Sequence, residues 1–319
     1  MGNGKALLLI AKGVLSAALL GFIFSKIDLE SVYYRLASGR WALIAFACCL
    51  IGMNIPLVAF RWWLLLRASP AIGHPGLTLS LRATVIGLFF GQVLPGAVGG
   101  DAVRAWVAYR SGLRPGFVIS SVVVDRLSAV LGLVALAFPS FYVAVNVGTR
   151  ELWIAAALSG SILVGVTAVF LALLPLLLGR AANRWSKLRK LFDLAVMVRG
   201  GLLSWRGLVA VVISIFIHMM TSYAVAVTAV ALSIPMRLDE ALAVVPLSLL
   251  VSAIPISVAG WGLREASMVI GFAAFGMRAD DAAILSVWLG LSVLLSSLPG
   301  GVVWVASRSP GKRFQMDRA

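Results

Sequence analysis

Long apolar runs without a charged residue alternate with short polar segments along most of this chain. A bilayer core about 30 Å thick takes roughly 20 helical residues to cross, and several uncharged runs reach that length. They are Trp41–Phe60, Leu127–Thr149, Leu152–Gly179, Gly207–Met236, Leu242–Leu263 and Ala282–Ser307. None of them alternates between apolar and polar residues with the period of two that barrel strands need. The pattern therefore predicts an all-α, polytopic helical membrane protein.

Two stretches interrupt the apolar pattern with proline and glycine at matching positions in the two halves of the chain. The first reads LPGAVGGDAVRA and the second IPISVAGWGLREA, and in each an arginine follows the proline by nine residues. Hydrophobic segments broken at corresponding positions indicate the central binding site of a transporter. We therefore expect one integral membrane domain over 1–319, with about eight membrane elements and two Pro/Gly-broken hairpins related as an inverted repeat.

Basic residues lie mainly between the apolar runs. The net charge is +15 at pH 7, and lysine- and arginine-rich loops stay on the cytoplasmic side of a membrane. The basic loop 180–206 is therefore predicted to be cytoplasmic, as are the Arg61–Arg82 loop and both termini. This placement accounts for the charge without a nucleic-acid partner. It divides the chain into halves of about 1–150 and 151–319, whose broken hairpins enter the membrane from opposite sides.

The two broken segments also hold the candidate binding residues. Glycine allows a close backbone approach, and a helix that begins beside it directs free N–H groups towards an anion. An arginine near such a helix start suits a phosphate or a carboxylate. The candidate substrate-binding residues are Arg104, Arg264, Arg126, Gly99, Gly100, Gly260 and Gly262, and the candidate orienting acids are Asp101, Asp125 and Glu265. The alternative is a plain helical turn in which Arg104 pairs with Asp101, and Arg264 with Glu265.

Two adjacent charges, Asp125 and Arg126, follow an apolar stretch that starts at Phe117. Charge inside a bilayer is costly, so both side chains should face the protein interior and have partners. Arg126 either joins Arg104 and Arg264 around a headgroup or belongs to a structural ion pair.

Other polar and aromatic side chains in the apolar runs have simpler interpretations. Asn54 is expected to form a hydrogen bond between helices, and His218 is expected to serve in packing or hydrogen bonding. Trp41, Trp62 and Trp205 lie near the ends of predicted spans, where tryptophan anchors a helix at the membrane interface.

No motif of a known enzyme class is present. The chain lacks the G-x-S-x-G, H-E-x-x-H, Walker A and dinucleotide-binding patterns. It contains only two histidines, His74 and His218, and its two cysteines, Cys48 and Cys49, are adjacent. We therefore predict no catalytic residue, no metal site and no cofactor.

Three segments resemble the signature blocks of the lysylphosphatidylglycerol synthase transmembrane family of flippase-like proteins. They read FFGQVLPGAVGGDAVRAW, VVVDRLSAVLGL and PISVAGWGLREAS, and the resemblance runs from roughly Leu7 to Val305. It implies the flippase half of a two-part protein, and we expect the soluble aminoacyl-transferase half to be absent here. The family's middle block usually has Glu-Arg and a second acid. Here Asp125 replaces the glutamate, and Ser128-Ala129 stand where the second acid would fall.

These features lead to one principal hypothesis and two alternatives. The principal one is a flippase-like protein of the bacterial cytoplasmic (inner) membrane that moves a phosphate-bearing or otherwise anionic lipid between leaflets. The first alternative is an intramembrane transferase acting on lipid or polyprenyl-phosphate substrates, with Asp101, Asp125 or Glu265 as base. The second is an accessory scaffold for a separate lipid-modifying enzyme. Membrane lipids are the expected partners, and self-association as a homo-oligomer is compatible with each hypothesis.

Overall fold

The computed structural model describes residues 29–67, 75–94, 99–146, 186–253 and 260–307, and within these residues the secondary structure is entirely helical. The helices are α1 Leu29–Ala37, α2 Trp41–Leu66, α3 Leu77–Val93, α4 Gly99–Arg110, α5 Pro115–Asn146, α6 Ser186–Leu202, α7 Trp205–Ala231, α8 Leu238–Ser252, α9 Leu263–Ala273 and α10 Ala279–Ala306. The all-α prediction is confirmed.

Four of the described helices are long and apolar enough to cross a membrane. They are α2, α5 over Pro115–Leu136, α7 and α10. The prediction of a polytopic membrane protein is therefore confirmed. The predicted first span and the predicted span Leu152–Gly179 lie outside the described residues.

The broken segments form two hairpins of short helices. The first hairpin consists of α3 and α4, and the second of α8 and α9. The helices α4 and α9 have 12 and 11 residues, so they extend about 18 and 17 Å. Because the bilayer core is about 30 Å thick, neither crosses it alone. The hairpin tips at 95–98 and 254–259 are outside the described residues.

The second half repeats the first in element order and in packing. Helices α2 to α5 correspond to α7 to α10, and α3 packs against α10 as α8 packs against α5. Trp41 begins α2 and Trp205 begins α7, 164 positions later. The same offset joins Gly112 and Gly276, which have φ values of 95° and 79° in the turns before α5 and α10.

The structural repeat is therefore offset from the sequence motif by one helical turn. Arg104 and Arg264 are 160 positions apart, whereas the helices that carry them begin 164 positions apart. Arg104 is the sixth residue of α4, and Arg264 is the second of α9. A shift of four residues keeps both side chains on a similar helix face but places Arg264 one turn nearer its hairpin tip.

The two halves are inverted with respect to each other. The start of α2 meets the end of α7, where the Arg40 N–H donates to the Ala231 carbonyl at 2.9 Å. Near the middle of both helices, Asn54 Nδ2 donates to Thr221 Oγ1 at 3.1 Å. Corresponding helices therefore run antiparallel, which confirms the inverted repeat, and Asn54 forms the interhelical hydrogen bond that the sequence predicted.

The apolar core lies where α2, α7, α8, α9 and α10 meet. Its fully buried side chains include Ala229, Val245, Met268 and Phe272. A smaller apolar cluster joins α2, α3, α4 and the start of α5, around Trp62, Leu66 and Ile86. Both hairpins are thus held against long helices by buried apolar contacts.

Close backbone contact joins the two helices of the first hairpin, so we expect Gly100→Ala to destabilise it. A Cβ at Gly100 would overlap the carbonyl oxygen of Gly87, and a Cβ at Gly87 would lie 2.9 Å from the Gly100 carbonyl oxygen. Overpacking of this kind costs about 1–3 kcal/mol. Thermal unfolding in detergent measures the loss. The matched control is Gly116→Ala, where an added Cβ meets nothing within 4 Å; an equal effect of both substitutions would contradict the assigned contact.

Candidate functional site

Asp125 ties three helices together in the first half of the protein. Its side chain on α5 is buried, with 1% of the residue exposed. Oδ1 accepts a hydrogen bond from Arg61 Nε on α2 at 2.8 Å, and Oδ2 accepts one from Arg104 Nη1 on α4 at 3.0 Å. The first hairpin is therefore attached to the long helices through a buried carboxylate held between two guanidinium groups.

A second carboxylate, Asp101, extends this network towards the surface. Asp101 Oδ1 lies 3.1 Å from Arg104 Nη2, and Asp101 Oδ2 accepts a hydrogen bond from Arg126 Nε. The Arg126 side chain is 59% exposed, so it faces outward while its head remains paired. We call Arg61, Asp101, Arg104, Asp125 and Arg126 the first charge cluster.

Arg104 keeps unused hydrogen-bonding capacity within this cluster. Its Nε and Nη2 atoms are buried without a hydrogen-bond partner, because the contact of Nη2 with Asp101 is an ion pair without hydrogen-bonding geometry. One face of the guanidinium lies 4.5 Å from the centre of the Trp62 ring. Buried donors without acceptors are costly, and three arginines against two aspartates leave the cluster one positive charge in excess. The cluster therefore has the electrostatics and the free donors that an anion requires.

The second hairpin holds a smaller, balanced group that we call the second charge cluster: Trp261, Arg264, Glu265 and Ser286. Arg264 Nη2 donates to Glu265 Oε1 at 2.5 Å, and the Gly262 N–H donates to Glu265 Oε2 at 2.6 Å. Glu265 is 0% exposed. One arginine faces one glutamate, and both carboxylate oxygens are engaged, so this cluster is electrically neutral.

Helix α10 completes the second charge cluster. Ser286 Oγ accepts from Arg264 Nε at 3.3 Å and lies 3.2 Å from Glu265 Oε1. One turn further along α10, a Cβ at Gly290 would overlap Arg264 Nη2. Trp261 covers the guanidinium at 4.9 Å, as Trp62 covers Arg104 in the first half. The second cluster is thus a closely packed attachment of the hairpin to α10.

The structure brings most of the candidate residues together in two separate groups. Arg104, Arg126, Asp101 and Asp125 share the first cluster, and Arg264 and Glu265 share the second. The ion pairs of the turn interpretation, Arg104 with Asp101 and Arg264 with Glu265, are both present.

The two arginine sites are separated along α10. Gly290 contacts Arg264, while Gly300 contacts α3 at Val85, close to the level of Gly87 beside Arg104. These two glycines are ten residues apart, which corresponds to about 15 Å along a helix. Arg264 therefore lies in a different ion-pair cluster from Arg104 and Arg126 in this structure.

The candidate glycines have different roles. Gly99 begins α4, and Gly100 allows the contact with Gly87. Gly260 and Gly262 have φ values of 82° and 87°, a left-handed conformation that favours glycine. Because the Gly262 N–H is bonded to Glu265, it is not available to a ligand in this conformation.

Sequence reasoning missed Arg61 and misplaced Trp62. The predicted Arg61–Arg82 loop is wrong at both ends, because α2 continues to Leu66 and α3 begins at Leu77. Arg61 is buried and pairs with Asp125, and Trp62 is 0% exposed rather than an interface anchor. The apolar residues directly after Arg61 were the available signal that the helix continues. Trp41 and Trp205, 54% and 62% exposed, fit the anchor prediction.

Comparison with known protein families identifies the family to which the chain belongs. The family model described as the lysylphosphatidylglycerol synthase TM region matches residues 9–302. The chain belongs to this family. The match includes both hairpins and both charge clusters, and it confirms the resemblance seen in the sequence. Comparisons with curated proteins and with solved structures give no match. Membership in the lysylphosphatidylglycerol synthase TM family and the four apolar spans make this a multi-pass membrane protein of the lipid-metabolism or flippase type.

Proposed function

We propose that this protein moves a lipid with a phosphate-bearing, anionic headgroup between the leaflets of the bacterial cytoplasmic membrane. The observation that carries the proposal is the state of Arg104. This arginine is 4% exposed, lies in a cluster with one excess positive charge, and has buried Nε and Nη2 atoms without hydrogen-bond partners. Two neighbouring guanidinium N–H groups form strong, charge-assisted bidentate hydrogen bonds with phosphate oxygens.

The surroundings of Arg104 suit a site that binds and releases its ligand. The excess charge attracts an anion, and Asp101 and Asp125 keep the guanidinium in place when no ligand is bound. The exposed Arg126 side chain provides a first contact for a headgroup approaching from the lipid side. The second charge cluster is neutral, and both carboxylate oxygens of Glu265 already accept hydrogen bonds, so we assign it a structural role.

An inverted repeat supports transport rather than simple binding. Two halves of opposite orientation can exchange conformations by rocking against each other, which exposes one site alternately to the two sides. The antiparallel contact of α2 with α7 supplies the interface for such a motion. We expect the basic segment that contains α6, and both chain termini, to lie in the cytoplasm.

The contacts of the acidic residues favour a transporter over the transferase alternative. A general base needs a carboxylate that is free to accept a proton. Asp101 and Asp125 are each held by two arginines, and Glu265 is held by Arg264 and a backbone N–H. We therefore propose that the protein is not an enzyme, and that any lipid modification is performed by a separate partner.

Lipid translocation in proteoliposomes tests this proposal. Purified protein would be reconstituted with fluorescent phosphatidylglycerol, phosphatidylcholine, polyprenyl phosphate or an uncharged diacylglycerol, and movement between leaflets followed by dithionite quenching. We expect selective movement of the anionic lipids. Absence of movement for every lipid by the folded protein would contradict the proposal, and a covalently altered lipid in mass spectra would establish the transferase. A requirement for a co-reconstituted enzyme would establish the scaffold.

A further inference from the structure

A cavity of about 280 Å³ lies between α6 and the ends of α2, α5 and α7. It is separate from the first charge cluster but borders it. Ser121, in the cavity wall, accepts a hydrogen bond from Trp62 Nε1 at 3.1 Å, and the Trp62 ring covers Arg104. Val124, also in the wall, precedes Asp125 in α5. We call this space the α6 cavity.

Comparison of the two repeats shows which residues of α5 form the wall of the α6 cavity. The offset of 164 places Ile284, Leu285 and Trp288 of α10 where α5 has Ser120, Ser121 and Val124. The larger side chains fill the corresponding space in the second half, where Leu285 is 1% exposed and Trp288 packs edge-on against Trp41 at 6.0 Å. The cavity is therefore encoded by small residues on α5.

In the second repeat, an ion pair joins α1 to the start of α10, and the equivalent positions of α6 and α5 do not form one. Arg35 of α1 pairs with Asp281 at the start of α10 at 2.8 Å, and its Nη1 donates to the Leu232 and Ser233 carbonyls. The corresponding positions on the α6 side are Arg199 and Phe117, which cannot form an ion pair. Space beside Phe117 is thus left open instead of being closed by a charged contact.

The lining of the α6 cavity has one polar and one apolar side. Ser204 and Arg206 lie at the start of α7, and Leu65, Val124 and Met197 line the apolar side. Among the described residues of the lining, Arg206 is the one charged side chain, and none is acidic. On α6 the exposed Arg189 and Arg199 flank the exposed Asp193, which leaves one positive charge in excess among these three side chains. Such surfaces attract anionic headgroups, and the start of α7 adds the positive end of a helix dipole.

We propose that the α6 cavity holds an anionic phospholipid drawn from the leaflet on the α6 side, with its phosphate at Arg206 and its upper chain against Leu65, Val124 and Met197. The bound lipid lies next to the Trp62–Arg104 contact. From the cavity it moves to the first charge cluster. That last step rests on the proposed function. Occupancy of the cavity does not, and it is measured separately from transport.

Protection of a single cysteine from labelling tests the occupant. In a Cys48→Ser, Cys49→Ser background, Met197→Cys places a thiol in the cavity wall, and Val196→Cys is the matched control on the same helix. The native side chains are 43% and 45% exposed, and Val196 does not line the cavity. Maleimide labelling would be timed in phosphatidylcholine nanodiscs with and without phosphatidylglycerol. With phosphatidylglycerol at ten times its dissociation constant, mass action predicts labelling at position 197 slowed roughly tenfold.

Substitutions identify the site within the cavity. Val124→Trp introduces the residue that fills the other repeat, and Arg206→Gln removes the charge; each should abolish protection at position 197. Ser121→Leu is a second cavity-filling variant if Val124→Trp fails to fold. The control is Val212→Trp, which lies on an exposed face of α7 and should leave protection intact. Arg104→Gln should also leave it intact, because Arg104 does not line the cavity.

Several results would overturn this assignment. Equal protection at position 196, or equal protection by phosphatidylcholine alone, would mean that lipid coats α6 without entering the cavity. Equal protection by glycerol 3-phosphate would replace the lipid by a soluble phosphate. Protection that persists in both filled variants would place the lipid elsewhere. If protection is found but no lipid moves in proteoliposomes, the cavity site stands and the proposed transport function fails.

Discussion

Arg104→Gln is expected to reduce selective translocation of anionic lipid at least about 100-fold and to leave the protein folded. The substitution removes the buried guanidinium whose Nε and Nη2 have no hydrogen-bond partners in the unliganded protein. Two charge-assisted hydrogen bonds to a phosphate contribute about 3 kcal/mol, and each 1.4 kcal/mol is a factor of ten. Dithionite quenching of fluorescent phosphatidylglycerol in proteoliposomes measures the change.

The charge balance explains why this variant should fold. Without Arg104, the cluster retains Arg61 and Arg126 against Asp101 and Asp125, so the charges of the cluster cancel. The matched control is Arg110→Gln on the same helix, where the native arginine is exposed and lies over Trp106 at 5.6 Å. Unchanged transport in a folded Arg104→Gln protein would remove Arg104 from the site. An equal loss in both variants would indicate a general effect of surface and helix charge.

Glu265→Ala is expected to have the largest effect on stability. This substitution leaves Arg264, 6% exposed, without a carboxylate and leaves the Gly262 N–H without its acceptor. Removing one partner of a buried ion pair destabilises a protein by about 3–5 kcal/mol. Thermal unfolding in detergent, followed with a thiol-reactive dye or by tryptophan fluorescence, should show a markedly lower midpoint. Gly290→Ala should act in the same direction, because its Cβ would displace the Arg264 head.

The control for this prediction is an exposed ion pair in the same half. Arg237 and Asp239 are paired, but their side chains are 74% and 33% exposed. Exposed pairs contribute at most about 1 kcal/mol, so Asp239→Ala should shift the midpoint only slightly. If Glu265→Ala is as mild as Asp239→Ala, the second charge cluster does not hold the second hairpin in place.

The two clusters illustrate why a repeated motif need not carry a repeated function. Both motifs have glycines followed by an arginine, and both arginines lie over a tryptophan. Their surroundings differ, because Arg104 meets helices that supply Arg61 and Asp125, while Arg264 meets its own neighbour Glu265 and Ser286. The first cluster keeps an excess charge and the second does not. Measuring lipid translocation and thermal stability for a variant of each arginine therefore distinguishes a binding role from a structural one.

The local pattern of apolar residues, prolines and glycines was sufficient to predict most helices and both hairpins. Uncharged runs predicted α2, α7 and α10 with ends displaced by a few residues, and the Pro/Gly interruptions predicted the break between α3 and α4 and between α8 and α9. These features depend on hydropathy and on backbone preferences of single residues, which are properties of short segments. The family blocks likewise lie within short segments, and the match over 9–302 confirmed them.

Partners of charged residues could not be read from the sequence, because they join helices far apart in the chain. Arg61 and Asp125 are 64 positions apart, and Arg61 and Ser214 are 153 apart. Arg61 was assigned to a loop because a charge ordinarily ends a membrane span, although the apolar residues after it indicate a continuing helix. Only the packed structure shows that Asp125 lies opposite it and makes its burial favourable.

The sequence by itself determined the helical membrane fold, the two broken hairpins and the family, because hydropathy and proline or glycine breaks act within a few turns of chain. The tertiary structure alone decided that the repeat is offset by 164 rather than 160, that one cluster is charged and the other neutral, and that a cavity lies under α6. Each of these depends on which side chains distant helices bring together, and burial then fixes which charges are balanced and which donors remain free.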